Sequence, residues 1–481
     1  SLRDILQWIR FVDLRVKKGF PFVDSYFQGA FMIFIDCVPD NLRRESIKFI
    51  SKQVSQDVSE FSHEVYQKDG EMYVGEFCLP KGPNFDPNKS SSFVFNAPTT
   101  SQNLLRVGRA LQMPYPVLIE GPPGVGKTSL IASLGETLGF NVVRINLSEH
   151  TEMLDLVGSE LPVEDAGTGS FAWRDGAFLT ALKNGDWVIL DELNLASQSV
   201  LEGLNSCLDH RAALFVPELG KEFKCHPQFK IFGCQNPAGA GHGRKSLPRS
   251  FLNRFTRVYV DELTANDFEF IISNCYKEIP IETRKAVIKI IADLNDLHLD
   301  FEFNLRDVFR CCELLNNHIS LQKAVSLLFI HRLRTDSLRK KVLSIAYKHI
   351  GQFDPDLTLF TISPELIRIG DLMINRSSGL YNPTNIVLHP SMIQPIESIL
   401  TCAIMKWPSL IVGSTATGKS SLIRLSAHLM GRKLVEFTMN SSVDTTELLG
   451  GFEQMDNHRC FEDLRSRIRL NDAAALEILE S

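Results

Sequence analysis

Gly121-Pro-Pro-Gly-Val-Gly-Lys-Thr128 is the stretch of this sequence that decides its fold. It matches the phosphate-loop pattern Gly-x-x-x-x-Gly-Lys-Ser/Thr, with an apolar strand before it and an unbroken helix after it. The glycines let backbone N–H groups wrap a polyphosphate, and the helix adds the positive end of its dipole. A Mg-nucleotide site is therefore predicted, with ATP and Mg²⁺ as cofactors. Its predicted nucleotide contacts are Gly121, Pro122, Pro123, Gly124, Val125, Gly126, Lys127, Thr128 and Ser129.

The composition is that of a globular protein with several domains. The chain has 481 residues, of which 44% are hydrophobic and 22% charged, so two to four domains are expected. The net charge of −6 gives no overall basic field, and no direct nucleic-acid site is evident. No apolar run approaches the roughly 20 residues that span a bilayer, so no membrane partner is expected.

Cysteine usage favours a reduced, intracellular setting. The ten cysteines are scattered and include no Cys-x-x-Cys pair. Cys225-His226, Cys234 and His242 lie close in sequence, but their spacing matches no zinc site. We therefore expect no structural zinc.

Strands alternate with helices after the phosphate loop. The apolar runs are 116–120, 141–145, 187–190 and 230–234, and this alternation predicts a parallel α/β sheet. Two β-hairpins are predicted in addition, one inserted before Trp173 and one at 213–224.

Three polar residues at strand ends are candidates for catalysing ATP hydrolysis. Asp191 follows a buried strand and is expected to hold Mg²⁺ together with Thr128. Glu192 beside it can orient and polarise the attacking water. Asn236 ends the next apolar strand, where its amide could bridge water and the γ-phosphate.

Arginines are expected to supply positive charge to the transition state. Arg254 is the candidate arginine finger, a side chain that reaches into the nucleotide site of a neighbouring nucleotide-binding module. Arg249 is the alternative candidate for this role. Arg306 opens a helix in the following helical region and is expected to sense the γ-phosphate of its own module.

The pattern then restarts. A strand predicted at 409–412 leads into a second phosphate loop, and the two loop lysines lie 292 positions apart. Leu2-Arg3-Asp4 matches Leu305-Arg306-Asp307 at a spacing of 303. Ser420 is the predicted metal ligand of the second loop. Its predicted nucleotide contacts are Gly413, Ser414, Thr415, Ala416, Thr417, Gly418, Lys419, Ser420 and Ser421.

The repeat defines the domain boundaries that we expect. The chain starts without Met, and we interpret it as the end of one module, one complete module and the start of a third. The predicted ranges are a helical lid at 1–52, a linker at 53–92, the nucleotide-binding core at 93–261, its helical lid at 262–346, a linker at 347–384 and the next core from 385.

In this order, the phosphate loop, Asp191-Glu192, Asn236, Arg254 and Arg306 resemble the AAA+ ATPase family. The two hairpins resemble the branch that holds dynein and the MoxR-like proteins. Longer runs are similar to dynein-related giant ATPases of large-ribosomal-subunit assembly, namely 144–149, 171–175, 191–198, 204–211, 247–256 and 444–454. The resemblance implies an α/β AAA+ fold of tandem modules, each with a parallel sheet, hairpin insertions and a helical lid.

It also implies a setting for the chain. Those giant ATPases carry six modules in one ring, so this chain would hold the end of the third, the fourth and the start of the fifth. They act in the nucleus, in nucleolus and nucleoplasm. The implied partners are precursor large ribosomal subunits and assembly factors with ubiquitin-like domains, bound through parts outside this chain, and neighbouring modules of the same chain.

The resemblance thus implies a Mg-ATP-dependent mechanochemical ATPase, part of a single-chain ring that removes assembly factors from precursor large ribosomal subunits. Two rival functions remain open at this point. One is another remodelling ATPase of the dynein and MoxR-like branch, although the chain has no heptad run long enough for a stalk. The other is a structural module that binds ATP without turning it over. Glu192 and Arg254 argue against the second rival.

Overall fold

The fold is described from a computed structural model of the chain. It describes residues 2–38, 40–54, 61–86, 91, 93–162, 171–209, 211–237, 247–297, 303–333, 335–355, 359–363, 365–376 and 389–440, and positions 443, 448, 450 and 465. Two compact units are distinguished, one of 1–159 and 174–432 and one of 160–173 and 433–481. The hairpin residues 160–162 and 171–173 belong to the second unit, whereas the other sheets and the helices belong to the first.

The helices are α1 (Leu2–Lys17), α2 (Phe22–Ala30), α3 (Asp40–Val54), α4 (Pro98–Leu111), α5 (Lys127–Thr137), α6 (Met153–Val157), α7 (Ala177–Asn184), α8 (Gln198–Leu208), α9 (Arg249–Leu252), α10 (Ala265–Cys275), α11 (Ile281–Asn295), α12 (Leu305–Asn316), α13 (Leu321–Val325), α14 (Asp336–Ile350), α15 (Pro390–Ile404) and α16 (Lys419–Met430). Short π-helical turns at Phe31–Ile35 and Ser326–Ile330 continue α2 and α13.

The strands are β1 (Val65–Lys68), β2 (Glu71–Val74), β3 (Phe77–Cys78), β4 (Val117–Glu120), β5 (Val142–Asn146), β6 (Gly158–Pro162), β7 (Phe171–Asp175), β8 (Trp187–Asp191), β9 (Ala213–Val216), β10 (Lys221–Lys224), β11 (Lys230–Gln235), β12 (Thr256–Tyr259), β13 (Phe360–Ile362), β14 (Leu366–Ile369) and β15 (Leu372–Asn375).

A five-stranded parallel sheet forms the nucleotide-binding core. Its strand order is β12-β4-β11-β8-β5, and every neighbouring pair is parallel. The inner strands are continuous apolar runs because helices cover both faces of such a sheet. Trp187 on β8 lies between the rings of Phe140 and Phe232, with both ring centroids 4.7 Å away. The predicted α/β fold with a parallel sheet is confirmed.

Both predicted hairpins are present. Strands β6 and β7 pair before the loop that leads to α7, and β9 pairs antiparallel with β10, so that Ala213 faces Lys224. Residues 163–170, between β6 and β7, lie outside the described chain.

Helices α10 to α14 form the predicted helical lid. The lid has a continuous apolar core that includes Ile290, Val308 and Phe329, all with 0% of their surface exposed. Its last helix reaches Ile350, a few residues beyond the expected boundary at 346. The π turn at Ser326–Ile330 lies between α13 and α14 within this lid.

The two predicted linkers are not simple linkers, which corrects the interpretation of 53–92 and 347–384. Strands β1, β2 and β3 form an antiparallel sheet, and β13, β14 and β15 form a second sheet of the same kind. Val74 and Phe77 of the first sheet are buried, and Val74 packs where Gly108 of α4 leaves room. The sequence concealed these sheets because strands of two to four residues show too little alternation to predict.

These sheets extend the repeat through the whole chain. The π turns begin at Phe31 and Ser326, and the first strands of the sheets begin at Val65 and Phe360, in each case 295 positions apart. Each copy therefore runs in the order lid helices, small antiparallel sheet and phosphate-loop core.

One predicted strand is wrong. Residues 409–412, before the second loop, have no strand conformation, and the Leu410 side chain is 89% exposed. A strand of a parallel sheet needs neighbours for its backbone hydrogen bonds, and in the described ranges no strand pairs with this segment. Within those ranges, too, no helix has the length and apolarity needed to cross a bilayer.

Candidate nucleotide-binding site

The strand order brings the candidate residues to one edge of the sheet. The phosphate loop leaves the end of β4, and β11 lies between β4 and β8. In the register, Gln235 at the end of β11 is opposite Glu120 at the end of β4. Asn236, the next residue after β11, is therefore positioned between the phosphate loop and the acidic end of β8.

The loop adopts a left-handed backbone at two glycines. Gly124 and Gly126 have φ values of 84° and 81°, a region that favours glycine because it has no Cβ. The Lys127 ammonium lies over the loop and donates hydrogen bonds to the carbonyls of Gly121 and Pro122, each at 2.8 Å. The lysine thus holds the loop in an open curve around the position where phosphate oxygens would bind.

A chain of hydrogen bonds connects the loop to the glutamate. Lys127 Nζ donates to Asn236 Oδ1 at 2.7 Å, and Asn236 Nδ2 donates to Glu192 Oε1 at 3.2 Å. Asn236 is only 6% exposed, so its amide is held between these two partners. The Asn236 side chain therefore couples Lys127, the positive charge beside the phosphate position, to Glu192, the residue expected to polarise water.

Glu192 has an unusual backbone. Its φ is +53°, which costs a residue other than glycine about 1 kcal/mol or more. Its backbone N–H donates to Asp191 Oδ1 at 3.1 Å. The sharp turn sends two consecutive carboxylates to different places, Asp191 toward Thr128 and Glu192 toward Asn236. Strain of this kind concentrates at functional sites.

Thr128 and Asp191 fit the requirements of Mg²⁺. The Thr128 hydroxyl donates to Asp191 Oδ2 at 3.0 Å, so the two oxygens already lie side by side. Mg²⁺ prefers oxygen ligands and commonly takes only one or two from the protein. Among the described residues, no three or more His, Cys, Asp or Glu form a cluster that could hold a metal ion.

One neighbour of Asp191 was not foreseen. Arg144 on β5 donates to Asp191 Oδ2 from Nη2 at 2.5 Å and from Nε at 3.1 Å. The sequence hint for this contact was an arginine inside the otherwise apolar run Val142-Val-Arg-Ile145. The hint does not identify Asp191 as the partner, because that contact depends on the pairing of β5 with β8.

The lid closes an apolar cavity against the phosphate loop. This cavity of 190 Å³ is lined by Gly124 and Val125 of the loop and by Phe268, Ile288 and Ile291 of the lid. The cavity combines these apolar side chains with the polar Asn295 and Asn304, a lining that suits a nucleobase beside a phosphate site. Sequence reasoning did not identify these lid residues as part of the site, because apolar residues in a helix look the same whether they line a cavity or fill the core.

Arg306 lies on the lid helix that contacts the loop. Asn304 caps α12, and a Cβ added at Gly124 would lie 3.0 Å from the Asn304 side chain. Arg306, two residues further on, is exposed on the first turn of this helix. The arrangement places its element at the nucleotide, and its role as a sensor stays a prediction.

Arg254 lies at a second cavity. Its Nη1 donates to the Asn205 carbonyl at 2.9 Å and lies 3.3 Å from Asp209 Oδ2. The pKa of Asp209 is lowered to about 2, chiefly by hydrogen bonds from Arg211 and in part by Arg254. The cavity has a volume of 1020 Å³ and is also lined by Arg3, the counterpart of Arg306. The rival Arg249 is exposed at the start of α9.

The lysine of the second phosphate loop contacts its own loop. Lys419 Nζ donates to the carbonyls of Gly413 at 3.0 Å and Ser414 at 2.6 Å. Ser420, its predicted metal ligand, is exposed, and 441–442, 444–447 and 449 are outside the described chain. Within the described residues, no catalytic acid is assigned to Gly413–Ser421, and their nucleotide contacts remain predicted.

A phosphate loop on a five-stranded parallel sheet, an acidic strand end and a helical lid over the loop together define a P-loop nucleotide-binding domain of the AAA type. Comparison with known families agrees with this class. The profile described as "AAA domain (dynein-related subfamily)" matches residues 116–255, and "Midasin AAA lid domain" matches 267–352.

Individual relatives narrow the family further. Midasin of Dictyostelium discoideum is 41% identical over 95% of this chain, and midasin of Giardia intestinalis is 36% identical over 81%. An uncharacterised protein of Staphylococcus aureus is 29% identical over 38% of the chain and 67% of its own length. The chain spans about 9% of the length of each midasin. It belongs to the midasin group of dynein-related AAA ATPases.

Proposed function

We propose that this chain supplies a Mg-ATP-hydrolysing module to a single-chain AAA ring. The observation that carries the proposal is the hydrogen-bonded chain Lys127–Asn236–Glu192 beside the Thr128–Asp191 pair. A phosphate loop alone would support binding only. An ordered glutamate next to a metal-ligand pair supports turnover, because hydrolysis needs a positioned water as well as neutralised phosphate charge.

Each of these residues has a distinct task. The loop amides and Lys127 bind the phosphates, while Thr128 and Asp191 would hold Mg²⁺, which neutralises phosphate charge when bound. The Glu192 carboxylate orients the attacking water and accepts a proton from it. Without a γ-phosphate, Asn236 holds the Glu192 carboxylate through a hydrogen bond. A bound γ-phosphate would attract Lys127 and weaken its hydrogen bond to Asn236, so that Asn236 can turn and release the carboxylate. Asn236 thereby ties hydrolysis to the presence of a triphosphate.

The lid cavity supports ATP binding across the core and lid. A base held between Val125 and Phe268 would make the lid position depend on the nucleotide. Hydrolysis would then change the angle between core and lid, which is the motion that a remodelling motor needs.

The second cavity supports a shared site between modules. It holds Arg254 of this core together with Arg3, which repeats the sequence context of Arg306. We propose that both arginines serve the nucleotide of the preceding module, and that a following module serves Lys127 in the same way. An arginine supplied in this manner is worth roughly 10³–10⁵ in rate. Neighbouring modules of the same chain are therefore its first partners.

The likeness to the midasins supports the finer assignment. On that basis we propose that the ring acts on precursor large ribosomal subunits in the nucleolus and nucleoplasm and removes assembly factors with ubiquitin-like domains. Contact with those factors would be made by parts outside this chain. The complete module would be the fourth of six.

The test is the full-length protein with Glu192→Gln, which removes the carboxylate and keeps its size. We expect ATP turnover to fall and assembly factors to stay on the precursor particle, while ATP remains bound. Glu202→Gln is the matched control, because Glu202 lies on the exposed face of the nearby α8 and accepts a hydrogen bond from Gln198 at 2.8 Å. The control should hydrolyse ATP at the normal rate.

The outcomes separate the rival functions. Unchanged turnover with Glu192→Gln would mean that this module binds ATP as a structural element. Lost turnover with normal release of assembly factors would point to another remodelling task within the dynein and MoxR-like branch.

A further inference from the structure

Asp191 Oδ2 carries more hydrogen bonds than a carboxylate oxygen usually accepts. Thr128 Oγ1 reaches it at 3.0 Å, and two guanidinium nitrogens of Arg144 reach it at 2.5 and 3.1 Å. The other oxygen, Oδ1, accepts the Glu192 backbone N–H at 3.1 Å and so belongs to the turn. Oδ2 is thus the atom available to the metal site, and it is saturated.

Arg144 can leave this oxygen more easily than Thr128 can. The Arg144 side chain is 55% exposed, whereas that of Asp191 is 13% exposed. Thr128 is fixed in the first turn of α5 and lies on the phosphate side. An arginine on a long, exposed side chain can rotate into solvent at little cost, because water replaces its hydrogen bonds.

We propose that Arg144 competes with hydrated Mg²⁺ for Asp191 and sets the Mg²⁺ concentration at which the module loads nucleotide. Asp191 Oδ2 would have to accept a hydrogen bond from a hydrated Mg²⁺, and the Arg144 guanidinium that now occupies this oxygen would have to withdraw. Two cationic groups at one carboxylate also repel each other. Loading is therefore coupled to an outward swing of Arg144, and the competition belongs to this module. In the second loop's sequence the residue two places before the matching Asn440 is Thr438.

The inference rests on the proposed Mg-nucleotide site, and its test measures binding without turnover. The 481-residue chain carrying Lys419→Ala, so that only the first loop can bind, is mixed with a non-hydrolysable ATP analogue. Its unfolding temperature is followed as Mg²⁺ is added, since a bound ligand stabilises the folded state. The midpoint of the rise gives the apparent Mg²⁺ affinity.

Arg144→Gln should lower the Mg²⁺ midpoint by about threefold or more, because an exposed ion pair that resists the metal is removed. Arg144→Lys keeps the charge but loses the contact through two nitrogens. Its Mg²⁺ midpoint should lie between those of the parent chain and Arg144→Gln. Lys340→Gln, on the exposed face of α14, removes the same charge elsewhere and should leave the midpoint unchanged. The Arg144 variants should bind the analogue equally well with excess EDTA.

An unchanged midpoint in both Arg144 variants would overturn the proposal. A raised midpoint would overturn it as well, because Arg144 would then be a positioning residue that orients Asp191 for the metal. If the parent chain shows no Mg-dependent stabilisation at all, the proposed function fails together with the inference. A lowered midpoint in the Arg144 variants, with Lys340→Gln unchanged, is the result that supports the competition.

Discussion

Lys127 and Lys419 hold their phosphate loops in the same way. Each ammonium donates to the carbonyls of the first two loop residues, at 2.8 and 2.8 Å in the first loop and at 3.0 and 2.6 Å in the second. The glycine before each helix has nearly the same φ, 81° at Gly126 and 78° at Gly418. The short motif therefore determines the shape of the loop by itself.

Among the described residues, the two loops differ in their surroundings. Leu118, in the strand before the first loop, has 0% of its surface exposed, and Leu410 at the matching place before the second is 89% exposed. Lys127 has a third partner in Asn236, which comes from the neighbouring strand β11. The catalytic part of the site is thus a product of the parallel sheet and not of the motif.

The largest expected difference concerns the leucines of the two approach segments. Leu118→Ala should lower the free energy of unfolding by about 3 kcal/mol, since it opens a cavity in a closed core. Leu410→Ala should change it by less than about 0.5 kcal/mol. Urea unfolding of both variants measures the difference. Similar losses would mean that the second loop also lies on a packed sheet.

The clamp between lid and core should have the next largest effect. Asp267 in α10 is fully buried and accepts hydrogen bonds from Thr99 N at 2.7 Å, Thr99 Oγ1 at 2.6 Å and Thr264 Oγ1 at 2.7 Å. Burial alone would raise the pKa of Asp267, but the hydrogen bonds from Thr99 and Thr264 outweigh it, so the pKa is lowered. Asp267→Asn should cost about 2 kcal/mol at neutral pH.

The pH dependence of this clamp follows from the direction of the shift. A lowered folded-state pKa stabilises the protein above the unfolded value of about 4, and the contribution is lost as pH falls through the folded value. The wild type and Asp267→Asn should therefore converge in stability as the pH falls below about 4. A constant difference down to acid pH would mean that the carboxylate charge has no part in holding the lid.

The smallest expected effect lies within the loops. Gly124 has a φ of 84°, and the matching residue of the second loop is Ala416 with a φ of 64°. Gly124→Ala should strain the first loop by about 1 kcal/mol, and Ala416→Gly should relax the second by a similar amount. Amide hydrogen exchange of the loop residues should become faster in the first variant and slower in the second. Changes in the same direction would contradict the shared conformation.

The sequence predicted those parts of the molecule that depend on local pattern. The phosphate loops, the strands of the first sheet and the lid helices follow from motif and apolar periodicity, and Glu192 follows from its place after Asp191 on β8. The antiparallel sheet of β1, β2 and β3 escaped prediction because its short strands gain their stability from contact with α4. Arg144 escaped because its contact with Asp191 exists only when β5 pairs with β8.

The strand before the second loop shows the same limit from the other side. A good apolar pattern predicted a strand at 409–412, but the segment has no strand conformation where no neighbour pairs with it. Periodicity states what a segment can form, and its partners decide whether it does.

The central claim is that the described residues assemble a nucleotide site around the first phosphate loop. Calorimetric titration of the chain with a non-hydrolysable ATP analogue and Mg²⁺ tests it most directly, using Lys127→Ala and Lys419→Ala as a matched pair. The account predicts one tight site that is lost in Lys127→Ala and retained in Lys419→Ala. Retention of tight binding in Lys127→Ala, or its loss in Lys419→Ala, would contradict the claim.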